Sequence, residues 1–417
     1  MVNRRFILPI IFFTIFLDML GFGILIPILP QLFANPDSSL YLLGNSVSVE
    51  TGYVFLGILT AAYPLGQFVA TPILGQLSDM YGRKKILAIA LLGTLVSYVV
   101  FGIGVVIKSV WLLMASRFFD GVTGGNISVA QAVIADSTLP QDRAKNFGLI
   151  GAAFGLGFIL GPFLGGVLVD STIVSWFGPT VPFWFAAILS LINVIIVWFV
   201  LPETYIPQEK TRLDWGKSLA NLARAATFPG FRGIFATNFI YQASFAFFAS
   251  FFGVFLVDRF MMTEGQIGKH LAFLGICIVL TQVTITRFLA TRVSDYKIIR
   301  TSLILAGLIM FTHYFVYGIV ELRIVAAMFA VANGLVLANI NGLISRKADK
   351  TIQGEILGIN ASVQALAQSI PPLISGFVVV TFTPETPVLV AGVLMVVAGL
   401  VFVTARYFST TSESVRV

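Results

Sequence analysis

Long apolar runs separated by short polar punctuation organise this chain. Breaks in hydropathy delimit twelve predicted helices, at about 6–34, 51–76, 85–107, 109–136, 145–170, 181–201, 232–257, 266–291, 298–320, 322–345, 354–381 and 385–407, each close to or above the roughly 20 residues that cross a hydrocarbon core. The first run follows Arg4 and Arg5 as a signal peptide would. It is too long for one, contains Asp18 and lacks a small-residue cleavage site, so it reads as a retained span.

The polar segment 202–231 divides the spans into two sets of six, giving an N-terminal bundle (1–201), a cytoplasmic linker (202–231) and a C-terminal bundle with a short tail (232–417). Within the linker, the mixed charges of Pro207, Gln208, Glu209 and Lys210 precede a short amphipathic helix expected around Trp215 to Arg224. At a constant offset of 210 residues, Gly124 matches Gly334, Gly148 matches Gly358, Pro162 matches Pro372 and Gly166 matches Gly376. The shared register predicts a duplicated six-helix unit, the layout of carriers whose repeats rock about a midplane site. The fold class expected is an all-α membrane protein of two pseudo-symmetric six-helix bundles.

Composition agrees with that pattern. Hydrophobic residues make up 57% of the 417 and charged residues only 11%, against about a quarter in a soluble domain. The single cysteine, Cys277, lies in an apolar run and excludes a disulfide framework or thiolate metal site. The net charge of +7 would suggest nucleic acid in a soluble protein, but its placement fits a membrane rule instead. Arg83, Lys84, Lys85, Arg143, Lys145, Lys210, Arg212, Lys217, Arg224, Arg232, Arg292, Lys297, Arg300, Arg346, Lys347, Lys350 and the terminal Arg4, Arg5, Arg406 and Arg416 fall on one side. Lys108, Arg259, Lys269 and Arg323 fall on the other, so both termini are expected in the cytoplasm.

Against this apolar background, Asp18 sits mid-span, about a dozen residues from its nearest charged neighbours. An ionised acid at that depth costs about 2.5–3.5 kcal/mol on insertion scales, which makes it the first candidate proton carrier. In the fourth span Arg117 and Asp120 stand one turn apart, and Gly121, Gly124, Ser128 and Gln131 continue a small or polar stripe at helical spacing. Such a stripe belongs toward a cavity. A structural buried ion pair is the competing reading of Arg117 and Asp120.

Between the second and third spans stands Gly75-Gln-Leu-Ser-Asp79-Met-Tyr-Gly82-Arg83-Lys84-Lys85. Read bluntly, it is a positively charged topogenic loop with glycines for a tight turn. Its ordered acid, glycines and bases resemble the G-x-L-[SA]-D-x-x-G-R-[KR]-[KR] signature of the major facilitator superfamily. The fifth span resembles that superfamily's antiporter motif G-x-x-x-G-P-x-x-G-G through Gly157, Gly161, Pro162, Gly165 and Gly166. The run Leu17-Asp18-Met-Leu-Gly21-Phe-Gly23-Ile-Leu-Ile-Pro27-Ile-Leu-Pro30 resembles the opening of twelve-helix drug:proton antiporters, tetracycline efflux proteins especially, and Arg117-Phe-Phe-Asp120-Gly121-Val-Thr-Gly124 is similar to their R-x-x-x-G-x-x-G. The likeness is strong over about the first 205 residues and architectural beyond them.

The resemblance implies gating roles for Gly75, Asp79, Gly82, Arg83 and Asp136, with Arg83 pairing Asp136 and Asp79 facing the start of the eleventh span. It implies a pliable fifth span packed closely against the opposite bundle, with plain helix packing as the alternative. Asp120 stands where relatives usually carry a neutral residue, and so becomes a second candidate for proton exchange. Two acids or bases that tetracycline exporters carry are replaced here by Ser97-Tyr98 and Thr281, so a tetracycline-specific pump is not expected. The implied setting is a bacterial inner membrane.

The second half uses neutral polar groups. Asn238 and Gln242 lie one turn apart, followed by Phe245; Asn333 and Asn341 share a face; Asn360, Gln364 and Gln368 recur every fourth residue. With Gln67 of the second span and the aromatic Tyr241, Phe248 and Phe252, these are the candidate substrate-cavity residues, interhelical hydrogen bonding being the alternative for each. A histidine such as His313 can titrate near neutrality, but a lone one more often serves packing, and Arg287 can snorkel to the inner interface and is given no transport role.

No P-loop or metal-ligand cluster is present, so no enzyme activity, cofactor or metal is expected and an ion gradient must drive any pumping. One charge moved through about 100 mV yields about 2.3 kcal/mol, enough at 1.36 kcal/mol per tenfold for a gradient of about fifty-fold. The expected function is a monomeric, proton-coupled exporter of small amphipathic or polar organic molecules, its partners being substrate, protons and lipid but not nucleic acid. A dedicated metabolite or siderophore carrier, in either direction, and a non-transporting receptor on the same fold stand as alternatives.

Overall fold

Apolar side chains on every face leave helices as the economical way to satisfy backbone groups in lipid, and in the computed structural model the described residues, which are 6–44, 47–139, 143–206, 213–348 and 353–414, form helices joined by turns and loops, with no strand among them. The Pro207–Lys210 run and the basic residues Arg4, Arg5, Arg212, Lys350 and Arg416 lie outside these, as do the side chains of Arg143, Lys145 and Arg406. The chain divides into two compact units, one of Met1–Ser218 with Met262–Ala272 and one of Leu219–Met261 with Phe273–Val417.

The helices of the first half are α1 (Ile7–Leu25), α2 (Leu29–Phe33), α3 (Val49–Tyr81), α4 (Arg83–Val106), α5 (Val110–Gly124), α6 (Ile127–Ser137), α7 (Arg143–Val169) and α8 (Val181–Val200). After the linker helix α9 (Lys217–Thr227) come α10 (Arg232–Phe260), α11 (Glu264–Leu280), a π turn at Thr281–Ile285, α12 (Thr286–Ala290), α13 (Asp295–Thr312), α14 (Ile319–Lys347), α15 (Gln353–Thr381) and α16 (Thr386–Ser414). The short linker helix thus falls where the sequence pattern places it.

Among the described residues, eleven helical stretches are long and apolar enough to cross a membrane. The twelfth expected span, 109–136, is not one helix. It is built as α5 and α6, of 15 and 11 residues, with a break at Gly125 and Asn126. Two glycines followed by asparagine weaken the α-helical ladder there, and the backbone closes instead through Asn126 N–H to the Thr123 carbonyl at 3.1 Å and Ser128 N–H to the Gly125 carbonyl at 3.2 Å.

In the first unit, glycines bring helices into backbone contact, the usual route to tight packing without a hydrophobic drive between spans. A Cβ on Gly121 would strike the Tyr63 carbonyl, and one on Gly66 the Phe118 carbonyl, so α3 and α5 approach where neither has a side chain. Prolines inside α3 free carbonyls that need other donors. Pro72 supplies no N–H to Phe68, and the Ser218 hydroxyl donates to that carbonyl at 2.8 Å. Ile7, Ile10, Ile11, Ile15, Leu87, Leu91, Val133 and Val197 pack into an apolar core within this unit.

The second unit is packed around α10. Ser244 donates to the Ala391 carbonyl at 2.7 Å, and Phe248, Phe252, Phe255 and Phe329 form a buried column. Gly307 and Gly392 let α13 and α16 approach, a Cβ on the first lying 2.7 Å from the Gly392 carbonyl.

Candidate functional site

Asp18 projects from the middle of α1 and is half-buried. Its Oδ2 accepts a hydrogen bond from Asn126 Nδ2 at 2.8 Å. Asn126 is 1% exposed and stands at the break between α5 and α6. The carbonyls loosened by that break are held by neighbouring donors: Gln67 Nε2 donates to the Gly124 carbonyl at 3.1 Å, and Ser128 Oγ, which also reaches the Thr71 carbonyl at 2.8 Å, lies 2.9 Å from the Gly125 carbonyl. Gln67, expected at a substrate cavity, therefore braces the break. Below Asp18 by one turn, Thr14 donates to Asn193 Oδ1 of α8 at 3.0 Å.

Arg117 and Asp120 form an ion pair of 2.6 Å, both buried. The Arg117 guanidinium also lies over the Tyr63 ring at 4.8 Å and near the Phe22 ring at 5.8 Å, a cation–π setting. Its Nε has no hydrogen-bond partner. Asp18 and Asp120 are electrostatic neighbours, yet their surroundings differ in kind. Asp18 faces a neutral amide and Asp120 faces a cation.

At the α3–α4 junction, Gly82 adopts φ +96°, a backbone region that L side chains rarely enter. The turn aims Arg83 back at its own loop, where it pairs with Asp79 at 2.6 Å, with Asp136 at 3.1 Å through Nε, and with Ser78 Oγ at 2.6 Å. The Arg83–Asp136 pair joins residues that the resemblance couples, and Asp79 bonds the same guanidinium. Gly75 sits in a looser place, with only Ser128 near a would-be Cβ. Glu203, which the motif does not contain, accepts from the Arg83 and Lys84 amides at 2.8 and 3.2 Å and so caps the start of α4. Tyr205 lies over the Arg83 guanidinium at 4.8 Å.

Of the antiporter-motif residues, Gly157, Gly161, Pro162 and Gly165 meet α1. A Cβ on Gly157 would meet Leu20 N at 2.9 Å, one on Gly161 would meet Gly23 Cα at 2.7 Å, and one on Gly165 would strike the Ile24 carbonyl. Pro162 Cδ lies 2.9 Å from a would-be Cβ on Gly23. Gly166 faces Glu264 and Gly265, which belong to the same compact unit. The motif therefore seats the helix that carries Asp18.

In the second unit, Asn238 donates to Asn360 at 2.7 Å, Tyr241 to Asn333 at 3.0 Å and Gln368 to Gln242 at 3.3 Å. Gln364 is half-buried and Asn341 is exposed, so Asn341 does not share the buried setting of Asn333. The ring of Phe245 lies tilted beside that of Phe248, centroids 6.2 Å apart. His313 is buried among the rings of Phe248, Phe252 and Phe255, and Arg287 is exposed. Thr281 opens the π turn and donates to the Cys277 carbonyl at 2.8 Å, such turns recurring at functional places in helices. At the far end of α10, Arg259 pairs with Glu385 at 2.9 Å and donates to the Tyr314 carbonyl at 2.7 Å. Among the described residues no group of three or more His, Cys, Asp or Glu is placed to hold a metal ion.

The family model described as Major Facilitator Superfamily matches residues 11–372 and 234–416. The chain is 30% identical over 382 residues to the class H tetracycline resistance protein of Pasteurella multocida, covering 90% of this chain and 89% of that one. It is 26% identical to multidrug resistance protein 2 of Bacillus subtilis, with 96% of each chain covered. Among solved structures, the human organic anion transporter MFSD10 (TETRAN) aligns with a TM-score of 0.73 at 22% identity, covering 96% of this chain and 100% of that one, a likeness of fold.

Proposed function

The chain belongs to the Major Facilitator Superfamily, and from that premise we propose that this secondary transporter is a proton-coupled antiporter that exports small amphipathic or polar organic molecules by alternating access. One observation carries the proton assignment: Asp18 is a half-buried intramembrane carboxylate whose bonded partner is the neutral amide of Asn126. Neutralising Asp18 leaves no buried cation stranded. Neutralising Asp120 would strand Arg117, which is costly in a low-dielectric interior. Asp18 is accordingly the proton carrier and the Arg117–Asp120 pair a standing electrostatic neighbour.

In this reading the bundles 1–201 and 232–417 rock about the linker, with both termini in the cytoplasm of a bacterial cell and the protein working as a monomer in the inner membrane. Arg83, Asp79 and Asp136 latch the cytoplasmic end of the first bundle. Protonation and substrate favour different states, which is all that coupling requires. The named substrates of relatives support a drug-like cargo, while Ser97-Tyr98 and Thr281, where tetracycline exporters carry ionisable groups, support a spectrum wider than tetracycline.

The neutral ladder Asn238–Asn360, Tyr241–Asn333 and Gln242–Gln368 favours a second reading, a dedicated carrier of a polar metabolite. Purified protein in liposomes with an acidic lumen separates the two. The antiporter should accumulate ethidium or tetraphenylphosphonium inside, about tenfold per pH unit for one proton per cation. Accumulation of neither cation, with gradient-driven flux of a sugar or amino acid instead, would establish the second reading.

A further inference from the structure

The break in the fourth span stands between the proposed proton carrier and the Arg83–Asp136 pair. Asn126 opens α6, the 11-residue helix Ile127–Ser137, and a helix of that length extends about 16 Å. At its far end Asp136 accepts from Arg83 Nε at 3.1 Å in the gating loop. At its near end Asn126 donates to Asp18. A rigid rod thus runs from the proposed proton carrier to the latch, and its flexible joint is the Gly124–Gly125–Asn126 break.

The chemistry of the near end has two states. An ionised carboxylate only accepts hydrogen bonds, so it takes the Asn126 N–H as seen. A protonated Asp18 becomes a donor as well, and the same amide meets it through Oδ1 after a half-turn. Few side chains serve both forms, and a buried polar group left unmatched is penalised by about 1–3 kcal/mol. The backbone at the joint is held by side chains and 3₁₀-type bonds rather than by a continuous ladder: Gln67 on the Gly124 carbonyl, Ser128 on those of Thr71 and Gly125. These bonds can exchange without unwinding either helix.

We propose that Asn126 is the positioning residue that reads the protonation state of Asp18 and passes it along α6 to the Arg83–Asp136 latch. The inference rests on Asp18 being the proton carrier. The other charged or titratable groups near Asp18 are Asp120 and Arg117 on α5, Tyr63 on α3 and Tyr98 on α4. The membrane portions of α7 and α8, which also pack on α1, carry none. Asn126 is therefore the polar contact that ties the acid to the element ending at the gate.

Two readouts on the full-length protein in nanodiscs, with Cys277→Ser, test this. The first is the carboxyl infrared band of Asp18, identified as the band lost in Asp18→Asn and followed against pH. The second is the distance between spin labels at Tyr81→Cys and Leu139→Cys, exposed positions flanking the gating loop and the end of α6. In the otherwise native protein both should titrate with one midpoint. With Asn126→Leu the band should still titrate, while the distance should lose its pH response or shift its midpoint by more than about one pH unit. Asn126→Thr, whose hydroxyl both donates and accepts, should retain part of the response, and it serves as the test if the leucine variant fails to fold, Asn126→Ala then being the unresponsive control. A label distance that follows the Asp18 band unchanged in Asn126→Leu or Asn126→Ala would overturn the inference and leave the proton assignment intact. Absence of any titrating Asp18 band in the native protein would overturn the proton assignment itself.

Discussion

Arg117 and Asp120 share a 2.6 Å ion pair one turn apart on α5, with both side chains at most 5% exposed. Taking two charges out of water costs most of what their attraction returns, so such a pair is a poor source of stability but a dangerous one to break. Arg117→Met alone should destabilise the protein by about 3–5 kcal/mol, because Asp120 is left buried without its partner. Adding Asp120→Leu should recover most of that loss. Reversible unfolding in mixed micelles, run as a double-mutant cycle, gives the coupling directly; equal and additive effects of the two changes would show that the pair is not energetically linked.

The junction of α3 and α4 predicts a different hierarchy. Arg83 engages Asp79, Asp136 and Ser78 from one guanidinium, a fork that an ammonium cannot reproduce. Arg83→Lys should therefore lower transport several-fold with no loss of assembled protein. Glu203→Ala, which removes the carboxylate cap from the Arg83 and Lys84 amides, should cost about 0.5–2 kcal/mol of stability. Initial transport rates normalised to folded protein, beside melting temperatures, separate the two kinds of effect. Native-like flux in Arg83→Lys would remove the latch from the mechanism.

Glycines in the two motifs should respond unequally to one added methyl. At Gly75 the nearest atom to a new Cβ is Ser128 Oγ at 3.5 Å, an ordinary contact, so Gly75→Ala should lie within about 0.5 kcal/mol of the native protein. At Gly161 the new carbon would sit 2.7 Å from Gly23 Cα, and Gly161→Ala should cost about 1–3 kcal/mol by overpacking α1 against α7. The same unfolding assay decides; equal tolerance at both sites would refute the packing account of the antiporter motif.

The membrane fold was legible because lipid enforces it. Apolar runs of span length and a polar linker predict the helices and the linker helix, and the resemblance of the loop around Asp79 to Lys85 to the superfamily signature implies the Arg83–Asp136 pair. The hidden features depend on short-range competition or long-range pairing. Hydropathy read 109–136 as one helix because Gly124, Gly125 and Asn126 stay apolar or small on average, although Gly-Gly-Asn is a known weakness in a helical ladder. The role of Asn126 is hidden by distance along the chain, its partner Asp18 being 108 residues away. Glu203 lay outside any motif, its one cue being an acid at the end of a span. Asn341 was grouped with Asn333 by spacing, and burial separates them.

The proton assignment of Asp18 is tested most directly by two fluxes measured on one variant. Asp18→Asn keeps the shape and the Asn126 neighbour of the side chain but removes its titration. In liposomes, the variant should exchange labelled for unlabelled ethidium across the membrane at near-native rates while failing to accumulate it under an imposed pH gradient. Undiminished gradient-driven accumulation by Asp18→Asn would contradict the assignment.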